Sequence, residues 1–371
     1  MCVAGNKARP AHASFLQPRR NTAMTDHSPD TAHVKALHHA PTQLTDPGRL
    51  IAAIPHLIGF HPTTALVLIT LDHGDIVLTT CYDLNAEPTG TRGLVTTISN
   101  AARNLDAPAF FACIVDDDPD QTNTRGRRLL HRQLTRTFDT QNQDIDVFGV
   151  SSFTTGARWF DYSLPDYLNG TLPDPATSPV ADPGRVVHTD YEVLAATLQP
   201  DDADTISRRS HLIDSILNTA TDPWPADRGE IRRMLAHVRR HIAQAGHRTE
   251  PLTDPEIAEL AIALSDPEVR DFAMSSALSE KAADAERLWT ELTRAAPAPE
   301  RAEPATLLAF SAYLRGNATV AALAARQAEA AQPGHRLAGL LRMGIAGGLP
   351  PAKVRDVVER AMRSAAPMVE G

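Results

Sequence analysis

Two hydrophobic periods divide the chain into two parts. Between residues 46 and 162, short continuous apolar runs alternate with segments in which apolar residues recur at helical spacing. Such alternation is typical of buried strands connected by helices. From Tyr191 onward the period is helical throughout. We therefore expect an α/β N-terminal domain with a mixed sheet over residues 33–200, followed by an all-α C-terminal helical domain over residues 201–371.

The helix expected after Asp46 has the clearest boundaries. Asp46 can cap a helix N-terminus with its side-chain oxygen, and Pro47 suits the first helical position. Gly59 can adopt the left-handed conformation that ends a helix. Pro55 lacks a backbone N–H, so we expect a kink or a tight last turn around His56.

The other elements of the first part follow from apolar runs and turn residues. ALVLIT, residues 65–70, predicts a buried strand, and the turn Asp72-His73-Gly74-Asp75 connects it to a second strand in a β-hairpin. Residues 165–183 are rich in Pro, Asp, Ser and Thr, which predicts an extended loop and makes this stretch our candidate for a lid. Further predicted elements are a strand at 33–39, a helix at 90–105, a strand at 108–115, a helix at 125–138, and strands at 144–153 and 156–162.

In the second part, an aspartate before a proline marks several helix starts. Asp222-Pro223, Asp254-Pro255 and Asp266-Pro267 each combine a capping residue with a first-turn proline. Residues 302–345 resemble a tetratricopeptide-like helical hairpin. Because such repeats need about three units for stability, we expect this one to pack on other helices of its domain. The matching small and apolar residues are Leu308, Ala309, Ala321, Ala328 and Pro333.

The run DPGRLIAAIPHLIGFHP, residues 46–62, resembles the DPxxLIAAxPHLxGFHP signature of an actinobacterial family of proteins with a conserved domain of unknown function. The segments GARWFDY, LPDPATSPV and LRGNATVAALAARQAEAAQPGHRLAGLLR extend the resemblance over most of the chain after Asp46. It implies no activity, ligand or catalytic residue. Many relatives carry a cysteine cluster soon after the Trp motif, whereas this sequence has DYSLPDYLNG there. Any metal or disulfide role of those cysteines is therefore absent here.

The N-terminal residues carry no periodic pattern. Residues 1–32 mix Pro, Ala, Ser and Thr with scattered arginines, so we expect a disordered N-terminal extension. No apolar stretch follows Arg19 and Arg20, which argues against a secretory signal. Met24 precedes a polar segment and then the folded part, so we expect Met24 rather than Met1 to be the true start.

Composition and charge narrow the classes of partner. The 371 residues carry a formal net charge of −9, with a pI near 5.9, which argues against a general nucleic-acid binder. No apolar run approaches the roughly 18 residues of a membrane span, so we expect no membrane partner and a cytoplasmic location. Cys2, Cys81 and Cys113 lack metal-ligand spacing and are expected to serve packing.

The candidate chemistry lies where the predicted strand at 108–115 ends. Asp116 to Asp118 follow this strand, and carboxylates there can hold a divalent cation or act as acid and base. The alternative is that an aspartate of this loop caps the next helix while the others stay solvated. On that helix Arg127, Arg128, Arg132 and Arg136 could contact phosphate, although we expect a solvated face. Trp159 could line a cofactor or ligand site, but we expect it to be buried.

No Walker loop, dinucleotide-binding glycine motif, G-x-S-x-G or H-E-x-x-H motif occurs in the sequence. We therefore expect a cytosolic binding or protein-interaction protein, with a small ligand or a protein as partner and no identified cofactor or metal. The alternative is a small-molecule enzyme, a hydrolase or transferase. In that enzyme His61 would act as general base, and the Asp116-Asp118 loop would orient it or hold Mg²⁺.

Overall fold

The computed structural model describes residues 46–85, 90–105, 109–116, 125–164, 169–181, 186–219 and 227–369. The predicted extension at 1–32, the predicted strand at 33–39 and the helix start at Asp222-Pro223 lie outside these residues. Within them, a mixed six-stranded sheet is followed by a long series of helices, which confirms the predicted fold class.

The sheet has the strand order β2-β1-β3-β4-β5-β6. β1 pairs antiparallel with both β2 and β3, whereas β3 and β4 are parallel. β5 then pairs antiparallel with β4 and with β6. The strands are β1 (Ala65–Asp72), β2 (Asp75–Asp83), β3 (Ala109–Val115), β4 (Asp144–Val150), β5 (Arg158–Asp161) and β6 (Asn169–Thr171).

The predicted hairpin is confirmed. β1 and β2 are connected by a turn in which His73 and Gly74 both have positive φ, at 51° and 92°. Two consecutive positive φ angles are the mark of a type I′ turn, whose twist matches that of the flanking strands. A histidine at the first of these positions is uncommon, and the following glycine makes the turn accessible.

Three helices cover the two faces of the sheet: α1 (Pro47–Ile58), α2 (Gly90–Asn104) and α3 (Arg125–Thr140). α1 forms as predicted. Asp46 Oδ1 accepts from the N–H of Gly48 at 2.7 Å, the helix runs through Pro55, and Gly59 ends it at φ 90°. α2 and α3 pack on the opposite face, against alternate residues of β1 and β3.

The helical part begins with a short helix and continues to the end of the described residues. Helices α10 and α11 form the hairpin that the sequence predicts near residues 302–345. Its identity as a tetratricopeptide repeat stays a prediction. The helices are α4 (Tyr191–Ala196), α5 (Ala203–Thr219), α6 (Arg228–Ala245), α7 (Asp254–Ser265), α8 (Pro267–Ser275), α9 (Ala282–Ala295), α10 (Ala302–Leu314), α11 (Ala318–Ala331), α12 (Arg336–Ala346) and α13 (Pro351–Val369).

Two local predictions are wrong. The loop expected over residues 165–183 contains β6 and a 3₁₀ turn, Pro175–Thr177, because Gly170 pairs with Trp159 on β5. The cap of α7 is Thr253, which forms a capping box with Glu256. Asp254 instead takes the first helical position, and its carboxylate bonds to two arginines of α5.

The turn between α10 and α11 connects the helical part to the sheet. Gly316 O accepts from the N–H of Thr79 on β2 at 2.8 Å, which covers part of an edge strand. Asn317 Nδ2 donates to Leu57 O at 2.9 Å, at the end of α1. The larger hydrophobic core contains side chains of α1, of the sheet and of helices α6 to α12, so the two parts pack against each other.

Candidate functional site

Two helix N-termini lie at one edge of the sheet. β2 and β3 are both antiparallel to β1, and their last residues, Asp83 and Val115, stand opposite Ala65. The carboxyl ends of both strands therefore meet at this edge. α2 and α3 follow these two strands, begin near the same edge and pack on the same face. Ligands of α/β sheets commonly bind beyond the carboxyl ends of strands.

A cavity of about 90 Å³, which we call the edge cavity, lies between the first turns of α2 and α3. Gly90 begins α2 with φ 65°, and an added Cβ there would meet nothing within 4 Å. The cavity is thus open on the side of the α2 N-terminus. Its lining residues are Leu84, Gly90, Thr91, Leu94, Gly126, Arg127 and Leu130.

Arg127 provides the one guanidinium among the lining residues, and Asp116 binds it. The backbone N–H of Asp116 donates to Val150 O at 3.1 Å, which fixes the residue at the end of β3. Its carboxylate is nearly buried, and Oδ2 accepts from Arg127 Nε at 2.9 Å and contacts Nη2 at 2.8 Å. The prediction of a solvated face is therefore wrong for Arg127, whose side chain is 20% exposed.

His61, the predicted general base, lies against a different part of the molecule. Its backbone N–H donates to His188 O at 3.0 Å, and its ring is 6.3 Å from that of Phe153, which belongs to the core on the α1 face. Partial burial, and secondarily the charge of His56, lower the pKa of His61. Among the described residues no hydrogen bond joins His61 to Asp116, and Asp118 lies outside them.

Trp159 is 6% exposed and packs between α1 and β6. Its ring meets Phe148 edge to face, with centroids 5.8 Å apart. A Cβ added to Gly48 or Gly170 would lie within 3 Å of the indole. These glycines explain how a large aromatic side chain fits between a helix and an edge strand.

A second group of polar side chains, beside α3, was missed by sequence reasoning. Ser163 Oγ lies 3.3 Å from His131 Nε2, and the His131 ring stacks on Tyr162 with centroids 5.6 Å apart. Asp161 Oδ1 accepts from the N–H of Ser163 at 2.6 Å. No known motif contains this serine. The only available signal was a serine directly after the predicted strand at 156–162.

The described residues contain neither a metal-ligand cluster nor a membrane-spanning helix. Among the described residues, no three His, Cys, Asp or Glu side chains are grouped so that they could hold a metal ion. In the same residues, no helix has both the length and the apolar character needed to cross a membrane.

The fold and the edge cavity define a two-part protein: an α/β sheet packed on a helical array, with a small cavity at the carboxyl edge of the sheet. The chain belongs to the family described as "Domain of unknown function (DUF4192)", whose family model matches residues 47–352. No curated protein and no solved structure matches the chain.

Proposed function

We propose that the protein is a binding protein whose α/β part binds a small anionic ligand in the edge cavity. The observation that carries this proposal is the meeting of two helix N-termini and one guanidinium around a single cavity. The anionic group is a phosphate or a carboxylate, either free or at the end of a larger metabolite.

The helix termini supply the first part of the argument. The first N–H groups of an α-helix have no partner within the helix, and the helix dipole places partial positive charge at that end. α2 has 15 residues and α3 has 16, so both are long enough to have well-formed N-termini. An anion between the two would accept hydrogen bonds from both first turns.

Arg127 supplies the second part. Both of its contacts with Asp116 go to the same oxygen, Oδ2. The guanidinium has five N–H donors, so this pairing fixes its position and leaves donors for a ligand. Asp116 also offsets part of the positive charge. We therefore expect moderate affinity for the anion.

The size of the cavity limits the ligand. A volume of about 90 Å³ suits a group such as phosphate or carboxylate and is too small for a whole nucleoside. Leu84, Leu94 and Leu130 form its apolar side, so the remainder of a larger ligand would have to lie outside the cavity.

A charge placed at Thr91 tests the proposal. Thr91 lines the cavity in the first turn of α2, where a carboxylate favours the helix dipole, so Thr91→Asp should fold normally. Inorganic phosphate should raise the melting temperature of the native chain by mass action, and Thr91→Asp should abolish that rise. Thr97→Asp, an exposed position of α2 outside the cavity lining, is the matched control.

The control should behave like the native chain. If phosphate, sulfate and citrate leave the melting temperature of the native chain unchanged, the proposal is wrong. Equal shifts of the melting temperature in the native chain, Thr91→Asp and Thr97→Asp would also contradict the proposal, because the anion would then bind outside the edge cavity.

The alternative enzyme, with His61 and the Asp116-Asp118 loop, gains less support, because Asp116 is already bonded to Arg127. The cytoplasmic location, the protein partner and the actinobacterial origin stay predictions.

A further inference from the structure

We propose that Ser163 is a nucleophile, with His131 as its general base, for acyl transfer from small esters. Ser163 and His131 are not among the residues that line the edge cavity, so the inference does not depend on anion binding. It rests on the contact between Ser163 Oγ and His131 Nε2 at 3.3 Å. A serine becomes an effective nucleophile when a base within hydrogen-bond reach can accept its proton, and such distances are often longer before substrate binds.

The imidazole is held in position from two sides. His131 is part of α3, a 16-residue helix anchored to the sheet by Leu130 and Leu134. Its ring stacks on Tyr162 with an interplanar angle of 22°. Tyr162 itself is buried in the sheet core. Because a helix and a buried aromatic ring both support it, the imidazole keeps its orientation towards Ser163.

Burial and the charges around His131 favour its role as a general base. Partial burial lowers the pKa of His131, so the imidazole is neutral at pH 7 and can accept a proton. The carboxylate of Asp161 acts in the opposite direction and stabilises the imidazolium once it forms. Asp161 is anchored by the N–H groups of Ser163 and Leu164, at 2.6 and 3.3 Å. Ser163 and His131 thus have the roles of nucleophile and base.

The surroundings indicate the substrate class. Ser163 is exposed, and the neighbouring Leu164 is 51% exposed, so an apolar acyl chain can lie beside the hydroxyl. These features point to a short-chain acyl ester.

The reaction balances with water as the second substrate. Ser163 Oγ attacks the ester carbonyl carbon, and its proton passes to His131 Nε2. The bond between the carbonyl carbon and the alkoxy oxygen breaks, and the imidazolium returns the proton to the leaving alcohol. Water then attacks the acyl-serine with His131 as base, which releases the carboxylic acid and restores the serine.

The first test uses p-nitrophenyl butyrate and a fluorophosphonate probe on the full chain. We expect ester hydrolysis and addition of one fluorophosphonate at Ser163, located by peptide mass analysis. Ser163→Ala and His131→Gln should each lower both signals at least tenfold. Ser152→Ala, which removes a half-buried hydroxyl bonded to Thr154, should leave them unchanged. Hydrolysis should increase with pH through an apparent pKa below 6.5, the ordinary value for histidine.

Unchanged hydrolysis in Ser163→Ala, or labelling at another residue, would overturn the proposal. A second test does not depend on turnover. In a Cys2→Ser background, a Ser163→Cys thiol beside His131 should react with iodoacetamide at pH 6 at least tenfold faster than a Ser152→Cys thiol. Burial raises the pKa of Cys81 to about 12 and also raises that of Cys113, so both should stay unreactive. Equal alkylation rates at the two engineered positions would show that His131 does not activate position 163.

Discussion

Asn317 shows how one buried side chain can connect three elements. Its Oδ1 caps α11 by accepting from the N–H of Val320 at 2.9 Å, and its Nδ2 donates to Leu57 O at the end of α1. Its backbone forms a bridge with Thr79 on β2. The residue lies in the R-G-N segment of the family resemblance, so a structural role accounts for that part of the motif.

Two substitutions at Asn317 should distinguish the contributions of its two side-chain hydrogen bonds to stability. Asn317→Ser keeps a capping oxygen but loses the donor to Leu57 O, which should lower the free energy of unfolding by about 1–3 kcal/mol. Asn317→Ala loses the cap as well, at a further cost of about 1 kcal/mol. Urea denaturation of the three proteins gives both differences. Equal stability of the native chain and Asn317→Ser would show that the donor contributes nothing.

The His237 and His241 pair on α6 should make stability depend on pH. Their rings are 4.6 Å apart, His241 is 2% exposed, and neither of its ring nitrogens has a hydrogen-bond partner among the described residues. Burial, followed by the charge of His237, lowers the pKa of His241 to about 4, below its ordinary 6.5. The other groups whose charges act on it are Glu256, Arg240 and Arg248.

Between these two pKa values the unfolded chain binds a proton that the folded chain does not. The stability contributed by neutral His241 is therefore complete above about pH 6.5 and is lost as pH falls towards 4. We expect the free energy of unfolding to fall by about 3 kcal/mol over this range. His241→Leu should flatten this part of the profile, whereas His247→Gln, at an exposed position, should not. A native profile without this decrease would contradict the assignment.

Among the elements, the turn between α10 and α11 depends on Gly316. A positive φ and a close contact with β2 both require a glycine there. Gly316 has φ 85°, and an added Cβ would lie 2.7 Å from Val77 O on β2. Gly334, after α11, has nearly the same φ, 81°, but an added Cβ there would meet nothing within 4 Å. The two positions share the backbone constraint and differ in the contact.

Alanine at these glycines should therefore have unequal effects. Gly334→Ala should cost about 1–2 kcal/mol, the strain of a left-handed residue with a Cβ. Gly316→Ala should cost about 1–3 kcal/mol more, because the added methyl group forces the turn away from β2. Thermal and urea unfolding measure the loss of stability in each variant. Equal losses would mean that the turn can move off the sheet without cost.

The elements that could be predicted from sequence are those specified by neighbouring residues. α1 follows from its cap, its apolar face and Gly59, and the β1–β2 hairpin follows from His73-Gly74. β6 could not be predicted in this way, because three residues become a strand only by pairing with β5. The sequence also placed the α7 cap one residue late, since both Thr253 and Asp254 are capping residues and only the fold assigns Asp254 to arginines.

The candidate sites depend even more on contacts between distant residues. Asp116 was predicted at a strand end, but its partner Arg127 is 11 residues away along the chain, on α3. Ser163 and His131 are 32 residues apart and meet only because β5 follows β4 beside α3. Strand order was open at the level of the sequence, so neither pair could be derived from it.

In the whole molecule, the helical part and the edge cavity occupy different places around the sheet. Helices α6 to α12 contribute to the core on the α1 face, and α10 and α11 also contribute to the core on the α2–α3 face. The residues that line the edge cavity all belong to the α/β part. A ligand in the edge cavity would therefore contact elements that the sheet holds in place, away from most of the helices. We expect this cavity to be the place where the protein binds a small anion.

Selective ¹⁵N-glycine labelling tests the claim most directly, because the chain contains only 20 glycines. In a titration with inorganic phosphate, the amide signals of Gly90 and Gly126, at the two first turns, should shift together and saturate. Those of Gly334 and Gly339, in and beside α12, should not move. If the Gly90 and Gly126 signals stay unchanged while phosphate rises, or shift no more than those of the distant glycines, the edge cavity is not an anion site.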